Sequence, residues 1–262
     1  MGYPQGPRSS VNAASPHKEG ILPVFTLSTA DMTMIELTPV AVTHSPYKEK
    51  FAIPRQPGLA PSVISRIDLL PPFNVPEALA GLEQVSHIWL TFYFHGVGSK
   101  PESLRVRPPR LGGNQRLGVF ATRSTHRPNG LGQSLVKIDH IEGTSLFISG
   151  ADLLDGTPIY DIKPYVPYTD CLPQATNTIA NSAPVCLDVT WDEQALQTAE
   201  AAANRIGESI VDIVQECLAQ DPRPAYQAHD PAKEYGARMW DLNIRWRYPT
   251  QDSIRVIGID KA

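Results

Sequence analysis

The stretch LVKIDHIEGTSLFISGA, residues 135–151, decides the class of fold. Residues 135–141 and 145–151 are short runs of apolar and β-branched side chains, and Glu142-Gly143-Thr144 between them has the composition of a hairpin turn. Upstream, residues 85–95 form the most strongly apolar strand candidate in the chain. Residues 117–122 are short and buried in character, and residues 63–70 stop at Pro71-Pro72. A further strand is expected over residues 35–43, where Pro39 lacks the N–H a central strand needs and so implies an edge or a bulge. Downstream, residues 160–162 are one more short strand. Six or seven strands with few helices predict a mainly β domain that closes, or nearly closes, into a barrel.

Composition agrees with short elements. The 262 residues include 25 prolines, close to twice the roughly 5% of ordinary usage, which favours turns over long helices. Hydrophobic residues make up 42%, enough for a sizeable core. The net charge of −4 excludes a polycationic nucleic-acid coat, so attraction to phosphate has to come from a local patch. The apolar runs are far too short to span a membrane. Cys171, Cys186 and Cys217 show no C-x-x-C spacing, which argues against a zinc ribbon or a redox pair and suits reduced thiols in a cytoplasm.

Four segments follow. Residues 1–33 read as a disordered Pro/Gly/Ser-rich leader, 34–170 as the barrel, 171–184 as a polar linker and 185–262 as a small α+β domain. In the last, a strand is expected over residues 185–190. Thr190-Trp191-Asp192-Glu193 has capping-box form, so a helix is expected to start there. Leu196, Ala199, Ala203, Ile206, Ile210, Ile213 and Cys217 follow at spacings of three and four, one face of a helix that Gly207 divides. Residues 239–247 and 253–259 read as a terminal hairpin.

Cofactor motifs are scarce. There is no phosphate-binding loop of the G-x-x-x-x-G-K-[ST] form, no G-x-S-x-G and no H-E-x-x-H, and Gly130-Leu-Gly132 lacks the preceding strand and third glycine of a Rossmann fingerprint. The seven histidines include no pair at metal-ligand spacing, so no metal is expected. Residues 103–138 stand out. They contain no Asp or Glu and seven cations: Arg105, Arg107, Arg110, Arg116, Arg123, Arg127 and Lys137. Arginines among glycines suit phosphate or carboxylate. A solvated basic face is the alternative reading. Two other loops have fixed paths. One is FAIPRQPGL at 51–59, where prolines and a glycine set the course of Arg55 and Gln56. The other is DLLDGTPIYD at 152–161, with a tight turn at Asp155-Gly156. His95, at the end of the apolar strand, is either a core histidine or a ligand contact.

SPYKEKFAIPRQPGL (45–59), VRPPRLGGNQRLGVFATRSTHRPNGLG (106–132), DLLDGTPIYDIKPY (152–165) and QDPRPAY (220–226) together resemble the TsaA-like family of transfer-RNA methyltransferases. The resemblance runs from about Met34 to the C-terminus. The leader and the Gly130-Leu131 pair, where the family commonly has a Pro-Ile type, depart from its pattern. The resemblance implies an S-adenosylmethionine-binding β-barrel of non-Rossmann type with an RNA-holding α+β C-terminal domain. It also implies a homodimer with cofactor pockets near the subunit interface. The implied activity is methyl transfer to the exocyclic nitrogen of threonylcarbamoyl-adenosine beside the anticodon of tRNA. The implied cofactor contacts are Arg55, Gln56, Pro57, Phe94, His95, Arg123, Gln133, Asp155, Gly156, Thr157 and Pro158. On this reading Arg107, Arg110, Arg123 and Arg127 are candidates to read the threonyl carboxylate. Arg223, Tyr226, Arg245 and Arg247 are candidates to hold the anticodon loop. His95 and Asp155 are candidate bases by position. A non-catalytic RNA-binding barrel, and a methyltransferase of this fold with another substrate, are the competing readings.

Overall fold

The computed structural model describes residues 36–98, 103–108, 115–224 and 227–262. The expected leader, Arg110 and Tyr226 lie outside the described residues. Six strands close into a barrel: β1 (Ala41–His44), β2 (Ile64–Leu69), β3 (His87–Tyr93), β6 (Leu131–Glu142), β7 (Ser145–Ser149) and β8 (Pro158–Pro164), in the spatial order β1-β2-β7-β6-β3-β8. The neighbours that pair are antiparallel, and the turn at Gly143 (φ 59°) joins β6 to β7 as the sequence predicts. Alternation sorts the side chains. Ile88, Leu90 and Phe92 of β3 point inward opposite Val136, Ser134 and Gly132 of β6, while His87, Trp89 and Thr91 share the outer face with Lys137, Leu135 and Gln133. Ala41, Ile67, Leu146, Ile148 and Ile159 complete the buried filling.

The two glycines that mimic a nucleotide fingerprint have a packing cause. A Cβ on Gly132 would lie 2.5 Å from the Phe92 ring, and one on Gly130 (φ 62°) 2.4 Å from the Tyr93 ring. Their role is to let the start of β6 run close to the aromatics of β3.

The second unit of packing is a sheet of order β10-β11-β12-β9, made of β9 (Asp188–Trp191), β10 (Tyr235–Met239), β11 (Leu242–Thr250) and β12 (Ser253–Lys261). Helices α2 (Glu193–Ile206) and α3 (Ile210–Ala219) cover it. A short helix α1 (Pro167–Asp170) ends the barrel's last strand. Gly207 in the left-handed conformation (φ 82°) separates α2 from α3, as its position in the periodic run predicts.

Several expectations are corrected. Strand β1 begins only at Ala41, past Pro39. The expected strand over 117–122 is two residues, β5 (Leu117–Gly118), paired with β4 (Arg105–Val106), and then a 3-10 turn, Val119–Ala121. There the Thr122 N–H and hydroxyl both donate to the Val119 carbonyl, a local solution that competes with a ladder. Thr190 is not the helix cap. It lies in β9 with its hydroxyl on the Ile254 carbonyl, and Asp192 occupies the cap position without a side-chain capping bond. The fully buried residues of α2 are Ala195, Ala199 and Ala202; Ala199 lies on the expected line, and Ala203 and Ile206 of that line pack against the same core partly buried. The 239–247 run is split by a turn at Trp240 (φ 51°), and β10 was not foreseen.

The connection between β1 and β2, residues 45–63, leaves the barrel and enters the second core. Tyr47, Ala52, Ala60 and Val63 are buried there, and Phe51 stacks on Trp246 at 5.6 Å with the rings 12° apart. Backbone bonds sew it in: Lys48 N–H to the Arg238 carbonyl at 3.2 Å and Trp240 N–H to the Pro46 carbonyl at 2.8 Å. Glu216 of α3 accepts from both the Ser62 N–H (2.9 Å) and its hydroxyl (2.7 Å). Trp246 is fully buried, so Trp246→Ala is expected to lower stability by roughly 3–5 kcal/mol in chemical denaturation. A double-mutant cycle with Phe51→Ala is expected to show a coupling of at least about 0.5 kcal/mol. Additive losses would mean that the stacking does not tie the connection to the sheet.

Candidate functional site

One rim of the barrel gathers the ends of all six strands. The C-terminal ends of β1, β3 and β7 and the N-terminal ends of β2, β6 and β8 meet there, as the pairings Tyr93↔Leu131, Ile64↔Ser149 and Val42↔Pro158 require. Of the stretches singled out in the sequence, 51–59, part of the basic stretch 103–138 and the first part of 152–161 come together here, through Gln56, Arg123 and Thr157. Proximity of chemistry-bearing groups therefore follows from closure of the barrel.

Two clusters form. In the first, Arg123 Nη1 donates to Gln56 Oε1 at 2.7 Å. Asp152 lies beside it, within electrostatic reach of the Arg123 guanidinium, and accepts from the Ser134 hydroxyl at 2.6 Å. Burial pushes the Asp152 carboxyl above its ordinary range; the Ser134 bond, its own backbone N–H and Arg123 offset this in part. In the second cluster, Thr157 Oγ1 donates to the Leu154 carbonyl at 2.6 Å and lies 3.3 Å from His95 Nδ1. With the threonine hydrogen already used, the neutral ring is assigned its proton on Nδ1, which leaves Nε2 as an acceptor. A Cβ on Gly156 (φ 75°) would meet His95 Nε2 at 3.9 Å and nothing closer, so there is space over this turn, while the N–H groups of Asp155, Gly156 and Thr157 are given to the Tyr47, Thr43 and Leu154 carbonyls.

Asp155 is occupied. Its carboxylate accepts from the Ser45 N–H at 3.0 Å and pairs with Lys48 Nζ at 2.7 Å. Burial alone would raise it, but Lys48 and the Ser45 N–H outweigh that and hold the carboxyl below its usual range. Phe94 sits edge-on to Phe92 at 5.1 Å and donates its N–H to the Gly130 carbonyl. Gln133 points outward in line with Leu135 and Lys137. Pro158 opens β8. Pro57 lines a shallow cleft of about 310 Å³ on the barrel's outer face with Gly58, Pro61, His87, Leu135, Lys137, Ser149 and Gly150. That cleft shares only Pro57 with the expected contacts. The polar convergence at the rim, not this cleft, is the chemically equipped place.

Arg55 turns away from Gln56. Its Nη2 donates to the carbonyls of Asp221 (3.1 Å) and Arg223 (3.2 Å), and desolvation there lowers its pKa, opposed by Asp221. Arg223 is itself bound up. It forks onto Asp221, donates to the Gln251 carbonyl at 2.7 Å and lies over the Tyr248 ring at 4.2 Å, leaving its side chain 14% exposed. Arg127 is spent on the Thr122 (2.8 Å) and Val119 carbonyls, which stiffens the 119–127 loop. Arg245 pairs with Asp260 and Glu234, and Arg247 with Glu234. Arg107 is exposed. Among the described residues, then, the arginines divide into those that hold backbone or carboxylates and those that face solvent.

Sequence reasoning passed over Asp152 and Ser134 as site residues. Asp152 opens the quoted DLLDGTP stretch, but what distinguishes it is its apposition to Ser134 on β6, which no local spacing announces.

Family profiles match almost the whole barrel and the whole second unit: the tRNA-methyltransferase O N-terminal domain over residues 42–171 and the TrmO C-terminal domain over 184–262. A Pseudomonas aeruginosa protein named as a putative S-adenosylmethionine-dependent methyltransferase, RcsF, is 53% identical over 223 residues, covering 85% of this chain and 96% of its own. An Escherichia coli K12 tRNA (adenine(37)-N6)-methyltransferase is 43% identical over 222 residues, 82% of this chain and 94% of its own. The crystal structure of TrmO from Pseudomonas aeruginosa superposes with a TM-score of 0.77 at 45% identity, covering 88% of this chain and all of that one.

The Asp155 latch carries a pH signature. A carboxyl depressed on folding stabilises above its unfolded value, about 3.9, and that stabilisation is lost as pH falls through the folded value. Asp155→Asn is expected to cost roughly 1–2 kcal/mol at pH 7. The gap to the unaltered protein should close below about pH 4 in denaturation curves taken across pH. A gap independent of pH would mean that the charge is not what matters.

Proposed function

The chain belongs to the tRNA-methyltransferase O family, and from that premise we propose that it methylates the exocyclic nitrogen of threonylcarbamoyl-adenosine at position 37 of tRNA. The coarser part of this reading, membership of a family of S-adenosylmethionine-dependent tRNA adenine(37)-N6 methyltransferases, rests on the relatives' names and on both profiles. The threonylcarbamoyl group, a homodimeric assembly and a cytoplasmic location are what we propose beyond that. No helix among the described residues is long and apolar enough to cross a membrane.

The observation that carries the reading is the convergence of Gln56, Arg123, His95 and the open turn 155–158 on one rim. The donor set fits the cofactor. A forked guanidinium suits its carboxylate, amide and backbone groups at a turn suit its amino and ribose groups, and Phe94 offers an apolar wall for adenine. When bound, S-adenosylmethionine supplies a methyl carbon already activated on a sulfonium. The residues of this chain therefore have three tasks: to align the nucleophile, exclude water and take a proton. Gln56, Pro57, Arg123, Gln133 and residues 155–158 are assigned to the cofactor. Arg55 is assigned the part of fixing the loop that carries Gln56. Arg107, and the exposed sides of Arg245 and Arg247, are assigned to RNA, with Arg223 holding the loop before β10.

Calorimetry with S-adenosylmethionine and radiolabelled methyl transfer to tRNA with and without threonylcarbamoylation test the proposal. Arg123→Ala is expected to weaken cofactor affinity at least tenfold, about 1.4 kcal/mol, and unchanged affinity would remove it from the site. Arg107→Ala is expected to spare cofactor affinity while weakening RNA binding and flattening its salt dependence by about 0.7 in log–log slope, one phosphate contact to a single strand. RNA affinity without any methyl transfer would favour the non-catalytic barrel instead.

A further inference from the structure

The rim holds three acids or bases near the cofactor contacts, and the structure ranks them. Asp155 has both oxygens engaged by Ser45 and Lys48. It is the latch of the turn and a weak proton acceptor. His95 is tied through Nδ1 to Thr157, with Nε2 directed at the Gly156 backbone, where the cofactor contacts are proposed. Asp152 differs from both. Its carboxylate is desolvated and faces no ion-pair partner within bonding distance among the described residues; Oδ1 accepts the Ser134 hydroxyl at 2.6 Å. Ser134 itself is buried inside the barrel, 2% exposed, on the inward row of β6, and Gln133 precedes it on the outward row. The bond therefore fixes the 150–154 segment against a rigid strand and orients the carboxylate. Arg123, which touches Gln56, approaches the same carboxylate.

We propose that Asp152, oriented by Ser134, is the residue that accepts the proton from the target nitrogen during methyl transfer. The inference rests on the reading of the chain as a methyltransferase acting on a carbamoylated exocyclic nitrogen. That nitrogen lies between adenine and a carbonyl, and its lone pair is delocalised while the proton remains. As the nitrogen–methyl bond forms, the methyl–sulfur bond breaks with its electron pair left on sulfur. The N–H proton passes to a free lone pair of the Asp152 carboxylate. The products are a neutral N-methylated nitrogen, a thioether and a carboxylic acid that returns its proton to water. A carboxylate shielded from water is a better acceptor than an exposed one, and Ser134 steadies its ionised form. The Arg123 guanidinium, positively charged throughout, steadies it further and anchors the cofactor side of the site.

The experiment is single-turnover methyl transfer across pH, paired with calorimetric S-adenosylmethionine affinity and RNA affinity, on the full chain and on Asp152→Asn and Ser134→Ala. Expected for Asp152→Asn are affinities within threefold of the unaltered protein, a rate at least 100-fold lower, and loss of the acidic limb of the pH–rate profile. Ser134→Ala removes a hydrogen bond from the ionised form, so its acidic limb is expected to move to higher pH. A purely structural role would not produce that displacement. A rate for Asp152→Asn above one third of the unaltered protein's, or a rate loss matched by equal loss of cofactor affinity, overturns the assignment. So does an acidic limb that stays in place in Ser134→Ala. Failure of the unaltered protein to methylate threonylcarbamoylated tRNA overturns the functional reading and this assignment with it, a different result from a variant that stays active.

Discussion

The burial of residues 45–63 in the second core is the interaction on which the rest of the molecule depends. A barrel of six short strands can close without help, but the loop that carries Gln56 would then be a long surface connection between β1 and β2. Instead Tyr47 and Phe51 enter the apolar layer under the C-terminal sheet, with Phe51 stacked on Trp246 and Glu216 clamping the far end at Ser62. A connection with both ends in the barrel and its middle in another core has few positions open to it. The loop's conformational entropy is surrendered on folding, so little remains to be lost when a ligand binds. This gives the C-terminal unit a part in the rim's geometry beyond any contact it makes with RNA.

Electrostatics follow the same division of labour. The chain is acidic overall, yet residues 103–138 contain no carboxylate. Acids elsewhere take up the arginines of the C-terminal sheet, as Glu234 and Asp260 do for Arg245 and Arg247 and as Asp221 does for Arg223. Arg127 is held by carbonyls, and it stiffens the loop that presents Arg123. Counting cations in the sequence therefore overstates the charge offered to a ligand. Arg107 and Arg123 are offered, whereas Arg223 and Arg127 make the surfaces on which others are presented. The half-buried Asp152, with its desolvated carboxylate, is the counterpart on the acidic side. Its desolvation is the kind of local cost that folded proteins carry where chemistry is done.

Much of the architecture was legible because its causes are local. The hairpin at 135–151 was readable from β-branched runs around a glycine turn. The helix break at Gly207 was readable because a left-handed residue ends a helix. The quoted motifs pointed to the family because long runs of turn-formers and arginines at fixed spacing rarely recur by chance. Boundaries and exceptions were not legible. The 117–122 run has strand propensity, but the Thr122 hydroxyl closes a tight turn there. Thr190 and Glu193 have capping-box spacing, but β9 claims Thr190 for a bond to β12.

A β-rich barrel, a smaller α+β partner and three loops shaped by proline and glycine follow from the order of residues alone, since backbone restriction and hydrophobic alternation are properties of neighbouring residues. That residues 45–63 enter the second core, that Arg55 and Arg223 hold the scaffold, and that Asp152 meets Ser134 emerge with the folded chain. Those outcomes depend on which strands lie side by side and on which charges find partners far along the chain. Desolvation and pairing are set by three-dimensional neighbours, and no local pattern encodes them.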